Sequence, residues 1–139
     1  MTANGTNRAN RRGAAAVELA VLLPFIGLMF AAALDFARVF ATTQALENAA
    51  YAGALYASGT AWAPGAPTGS ADAAKKAAVA EGPALSPALQ AGNVTVTVAG
   101  GNATVSVDYD FPLITAVLGQ STVHLKRTVT LKVAPRPGD

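Results

Sequence analysis

Residues 14–34 read AAAVELAVLLPFIGLMFAAAL, and Glu18 is the single charged side chain among them. No other feature constrains the chain as strongly. About 20 predominantly apolar residues suffice to cross ~30 Å of hydrocarbon as a helix. Extended to Phe36, the segment 14–36 rises about 34 Å, enough to span with slight tilt. Asp35 closes the run and Arg38 follows one turn later. With 139 residues in all, there is room for one such anchor and one small domain. Hydrophobic residues make up 52% and charged residues 13% of the chain. An ordinary soluble domain carries about 25% charged residues, so composition argues against a typical soluble globule. Intrinsic disorder, which needs low hydrophobicity and high charge, is excluded on the same ground.

The net charge of +2 has to be located before it means anything. Arg8, Arg11 and Arg12 precede the apolar run, and beyond residue 13 seven basic groups face eight acidic ones. The basic sequence pI is therefore a property of the leader. Positive charge before the run and only Arg38 close after it predict a cytoplasmic N-terminus with residues 38–139 outside. The expected location is the cytoplasmic (inner) membrane, crossed once. The outer part offers only Lys75-Lys76 and Lys126-Arg127 as basic clusters, too little for a nucleic-acid partner. A secretory signal peptide cut near Ala31-Ala32-Ala33 is a competing reading. It is disfavoured because the apolar core exceeds the usual ~7–15 residues and helical character continues beyond the cut. A twin-arginine export signal at Arg11-Arg12 is weaker still. Pro24 removes one helical hydrogen bond and predicts a modest kink, which membrane helices tolerate.

Glu18 is an ionisable group inside an apolar span, and such a group is a functional hypothesis that needs a partner. Cleavage after Gly13 would supply one, the new α-amine of Ala14, which is protonated below about pH 8. The partial positive charge of the helix N-terminus acts in the same sense. The plainer reading is that Glu18 snorkels toward the headgroups near Arg11 and Arg12.

Residues 8–18, R-x-x-R-R-G-A-A-A-V-E, resemble a type IV prepilin leader, which is short, basic and ends in Gly, with Glu five residues past the cut. The longer stretch RRGAAAVELAVLLPFIGLMFAAALDFARVFATTQALENAAYAGALYA, residues 11–57, resembles the start of TadE-like proteins. Its R-R-G leader, V-E-L-A, Leu-Pro step, D-F-A-R turn and aromatic–small run agree with that family at several spaced points. Ala52 and Leu55 stand where many relatives carry Arg. The resemblance implies a pseudopilin-like component of the tight-adherence (Tad) secretion and Flp pilus machinery, processed by a prepilin peptidase in the membrane. On the matching positions it implies Gly13 as the last leader residue, Ala14 as the mature N-terminus and Glu18 as the assembly carboxylate. The partners it implies are that peptidase and other pilus or secretion-system subunits, beside the lipid bilayer itself.

Beyond the span, residues 35–58 contain no Pro and only Gly53 as a breaker. Val39, Thr43, Leu46, Ala50, Gly53 and Ala57 recur at intervals of four and three, the pattern of an amphipathic helix face. Ala45, Ala49, Gly53 and Ala57 form a second row of small residues, which lets another backbone approach closely. That row fits a contact with a partner subunit's helix, or packing of this helix on its own sheet. GTAWAPGAPTGS, residues 59–70, reads as a loop, and DAAKKAAVAEG as a short helix ended by Gly82-Pro83. From residue 93 the period changes to two. Val94, Val96 and Val98 lead through Gly100-Gly101-Asn102 to Val105, Val107, Tyr109 and Phe111, a hairpin signal. Val123, Leu125, Val129, Leu131 and Val133 continue the alternation, with Arg127 interrupting their face and leaving a bulge or an edge as its explanation.

Side chains arranged for chemistry are few. Asp108 and Asp110 share one strand face without a third ligand, His124 sits on a polar face beside Lys126, and the chain has no Cys. No phosphate loop or nucleophile elbow is present. The expectation is a non-enzymatic protein with no cofactor, no metal and no small-molecule substrate. Its expected fold is α+β, a long N-terminal helix packed on an antiparallel sheet of about three strands. The organisation is a basic leader 1–13, a transmembrane helix 14–36, an outer continuation 37–58, a loop 59–70 and a small α+β domain 71–139. An uncleaved single-pass protein whose outer domain is a generic binding module is the alternative.

Overall fold

The computed structural model describes residues 5–59, 71–82, 85–115 and 121–133, with side chains from Gly13 onward. Most of the expected loop with Trp62, the Pro83 turn and the link around Gly119 lie outside the described residues. The elements are α1 (Gly5–Ser58), α2 (Ala71–Ala80), a 3-10 turn at Ala91–Asn93, β1 (Val94–Ala99), β2 (Asn102–Pro112) and β3 (Thr122–Lys132). The chain divides into two units, Met1–Ala37 and Arg38–Asp139.

In the first unit, α1 begins eight residues ahead of Gly13 and passes through Pro24 without ending. Proline offers no N–H, so one carbonyl of the preceding turn loses its helical donor there. The side chains that follow Gly13 are apolar and exposed, Val17 at 65%, Phe25 at 61% and Phe30 at 66%. The helix is long and apolar enough to cross a membrane, and its most apolar window has no buried residues.

The second unit is a three-stranded antiparallel sheet in the order β1-β2-β3, with β2 in the centre. Strict alternation makes β2 two-faced. Ala103, Val105, Val107, Tyr109 and Phe111 are buried, while Thr104, Ser106, Asp108 and Asp110 lie on the opposite face. Gly100 and Gly101 close the first hairpin with φ of 58° and 74°, a left-handed pair that glycine adopts without steric cost. Asn102 already belongs to β2, paired with Ala99, so the turn is shorter by one residue than the sequence pattern indicates. The last strand carries no bulge. Its register runs unbroken from Pro112↔Thr122 to Asn102↔Lys132, with Arg127 opposite Val107. Arg127 is exposed, and β3 is an edge strand. A charge on the inner side of an edge strand discourages pairing with another chain.

Residues 38–58 of α1 and helix α2 cover the inner face of the sheet. Thr42, Leu46, Ala49, Ala50, Gly53, Ala54, Ala57 and Ser58 are buried, at the spacing of a helix seam. Among the described residues, seven of the fifteen buried hydrophobics are Ala, so backbones approach closely and few large side chains fill the core. Gly53 marks the tightest approach. A Cβ there would stand 3.1 Å from Val105 Cγ1, 3.2 Å from the Ala74 carbonyl oxygen and 3.3 Å from Ala78 Cβ. Tyr109, the largest polar side chain of this core, donates its hydroxyl to the Pro87 carbonyl at 2.6 Å. Burial raises its phenol above the usual tyrosine range.

Candidate functional site

The residues singled out for processing and assembly fall on the first unit. Arg8, Arg11 and Arg12 belong to α1, and their side chains lie outside the described residues. Gly13 and Ala14 are exposed. A Cβ built on Gly13 would meet nothing within 4 Å. Glu18 is exposed one turn further on. Val17, Val21 and Leu22 share a shallow surface depression with it. Side chains on a helix lean toward its N-terminus, so the Glu18 carboxylate is directed back toward the turn that begins at Ala14. Four residues separate them, about 6 Å of helical rise.

The small-residue row lies in the second unit. Ala49, Gly53 and Ala57 are buried, and Ala45 is half-buried. Ala74 and Ala78 of α2 and Val105 of β2 close on Gly53. Three of the four positions are thus taken up within the chain, which is the second of the two readings their spacing allowed.

One cluster emerges only from the strand pairing. Asp108 stands opposite Lys126, and Asp110 opposite His124. His124 Nδ1 lies 2.8 Å from Asp110 Oδ1, and its Nε2 lies 3.4 Å from Asp108 Oδ1. Lys126 Nζ is 3.3 Å from the same Asp108 oxygen. Further along the face, hydroxyl pairs continue the ladder, Ser106–Thr128 at 2.7 Å and Thr104–Thr130 at 2.9 Å. The sequence pattern puts His124 on a polar face beside Lys126. It is exposed, but each ring nitrogen faces a carboxylate, an arrangement that only the doubly protonated ring satisfies as a donor at both ends. The hydrogen bond to Asp110 raises the His124 pKa; desolvation opposes it, and the charges of both aspartates and the hydrogen bond to Asp108 add to the rise. No group of three or more His, Cys, Asp or Glu among the described residues has the arrangement of a metal site.

The sign of the pH effect follows. A folded-state pKa raised above the unfolded value makes the protonated His124 contribute to stability fully below the unfolded pKa, about 6.5. That contribution is lost as pH rises through the folded value. An NMR titration of the imidazole should report a pKa above 6.5. His124→Asn should remove the corresponding pH dependence of unfolding, and a wild-type titration at or below 6.5 would show that the aspartates do not hold the ring.

Residues 13–55 match the family model described as TadE-like protein. No curated protein and no solved structure matches the chain.

Proposed function

We propose that this chain is a single-pass, Tad pilus-associated membrane protein that acts as a pseudopilin-like assembly component. The observation that carries the reading is the TadE-like match over residues 13–55, which begins on the glycine at which the leader would end. The exposed apolar surface of α1 after Gly13 supports membrane anchoring, and the three arginines ahead of it support a cytoplasmic N-terminus. The outer unit, residues 38–139, is then extracytoplasmic and makes non-catalytic contacts with other subunits.

In this reading a prepilin peptidase hydrolyses the Gly13–Ala14 bond. Water adds across the peptide, leaving a carboxylate on Gly13 and an amine on Ala14. Removal of residues 1–13 turns an internal stretch of α1 into a helix N-terminus, whose first four N–H groups lack helical acceptors. Glu18 in the second turn then supplies a negative charge close to an end that carries positive charge from both the amine and the helix dipole. The same carboxylate can reach the amine of a neighbouring copy or of another leader-bearing subunit. No catalytic residue, cofactor or metal enters this mechanism.

Intact mass of the protein recovered from its native membrane tests the proposal. The expected species begins at Ala14. A species that retains residues 1–13 would reduce the protein to a tethered domain with an uncleaved anchor, and one beginning near Leu34 would mark a signal peptide.

A further inference from the structure

We propose that the outer unit rests on the lipid bilayer through the end that carries Arg38, Phe40 and Ile114, with Phe40 and Ile114 dipping into the boundary between headgroups and acyl chains. The inference rests on the membrane anchoring read from residues 14–36 and is independent of the pilus role.

Chain length sets the first constraint. The apolar span ends at Phe36, and Arg38 is the first residue of the outer unit's contact network. Two residues reach at most about 7 Å even when extended, so Arg38 is held at the membrane surface whatever angle the unit adopts. Within the unit, Arg38 fixes which end this is. Its guanidinium carbon stands 4.8 Å from the centroid of the Phe111 ring, a cation–π contact that ties the C-terminal end of β2 to this point. A cleft of about 280 Å³ lined by Arg38, Ala41, Thr42, Leu85, Ser86 and Phe111 opens at the same end.

The chain then leaves β2 and presents Ile114, which is 66% exposed, while Phe40 on α1 is 57% exposed. Ile114 follows Phe111 by three residues, so it lies within about 11 Å of chain from the ring that Arg38 covers. Two large apolar side chains left open at the end that carries an arginine suit a membrane interface, where aromatic and aliphatic groups enter the acyl boundary and the guanidinium reaches phosphate level. The remaining exposed charged groups close to this end of the strands are Asp110 and His124, on the outward sheet face. Phe40 and Ile114 are apolar, and contact is therefore driven by apolar burial. The far end of the sheet differs. Asn102 and the Gly100-Gly101 turn lie ten residues back along β2 from Pro112, about 33 Å away.

The absence of Cys from the chain allows single-site labelling. Leu28→Cys, Ile114→Cys and Asn102→Cys, all at exposed positions, would each carry an environment-sensitive fluorophore. The full chain would be reconstituted in phosphatidylcholine bilayers with or without lipids brominated on the acyl chain. The expected result is strong quenching by bromolipid at positions 28 and 114 and none at 102, with aqueous iodide showing the reverse order. Quenching at 28 but not at 114, together with free access of iodide to 114, would overturn the proposal while leaving the anchor intact. A label at 114 shielded from both quenchers would mean that protein covers this end, which overturns it equally. Loss of quenching at 28 would remove the anchor itself, and the proposal with it.

Discussion

Replacing Leu46 by Ala is expected to cost the outer unit about 2–5 kcal/mol, the range for a fully buried leucine truncated in a packed core. Leu46 is completely buried and is the largest fully buried side chain among the described residues. Its neighbourhood makes collapse around the cavity difficult. Ala49 and Ala50 on the same helix are also fully buried, and alanine side chains have no rotamers with which to fill a void. The helix that would have to move is held at Gly53, where a Cβ could not be added without pressing on Val105, the Ala74 carbonyl and Ala78. The cost should therefore fall toward the upper part of the range. Thermal unfolding of the full chain in detergent, followed through the amide signals of the sheet, should show a fall in Tm of at least about 8 °C. Val98→Ala provides the contrast, because Val98 is 51% exposed, and exposed truncations fall within about 0.5 kcal/mol. Equal losses from the two variants would mean that α1 does not form the core of this unit.

The same core shows what could be read from the sequence and what could not. Leu46, Ala50, Gly53 and Ala57 share a helix face by their spacing alone, and all four are buried. The alternation from Val105 to Phe111 likewise places one face of β2 inward from the sequence alone. These are local periodicities, and local geometry enforces them. The helix–sheet pairing was legible for a second reason, since the strands offered an apolar face with no other long element to cover it.

The features that escaped depend on register between elements distant in sequence. Between β2 and β3 the link at 113–121 is too long for a turn type to set the pairing. Asp110 and His124 were therefore visible only as two polar residues on two strands. With Pro112 opposite Thr122, every pair along the ladder follows, and Asp108, Asp110, His124 and Lys126 become neighbours. Arg127 is a similar case. An interruption of an apolar face has two local explanations, a bulge or an edge, and only the strand order β1-β2-β3 with unbroken register selects the edge. Val98 continues the alternation of Val94 and Val96 but is half-exposed. It lies one residue from the end of β1, toward the Gly100-Gly101 turn, and alternation marks a face without showing how far its cover extends.

The candidate site could be proposed from the sequence because it is linear. Gly13, Ala14 and Glu18 sit within two turns of one helix, and no tertiary contact is needed to bring them together. The outcome expected of Glu18→Gln follows from that simplicity. Glutamine keeps the shape of the side chain and removes its charge. A carboxylate at the centre of a bilayer costs about 2.5–3.5 kcal/mol and less toward the interface, so the variant should insert at least as well as the wild type. The proposed cleavage at the Gly13–Ala14 bond lies more than a turn away and should persist. What should fail is the step that needs opposite charges. A charge-assisted hydrogen bond contributes about 1.5–3 kcal/mol, which corresponds to roughly a ten- to hundredfold loss of association. Glu18→Asp restores the charge on a side chain one methylene shorter and should recover part of that loss. The readouts are membrane fractionation for insertion, intact mass for cleavage, and co-purification with neighbouring subunits together with surface pili for assembly. A headgroup-directed Glu18 with no docking role would leave assembly unchanged in the Gln variant. The selective loss of assembly, with insertion and cleavage preserved, is the result that separates a docking charge from a polar residue merely tolerated near the interface.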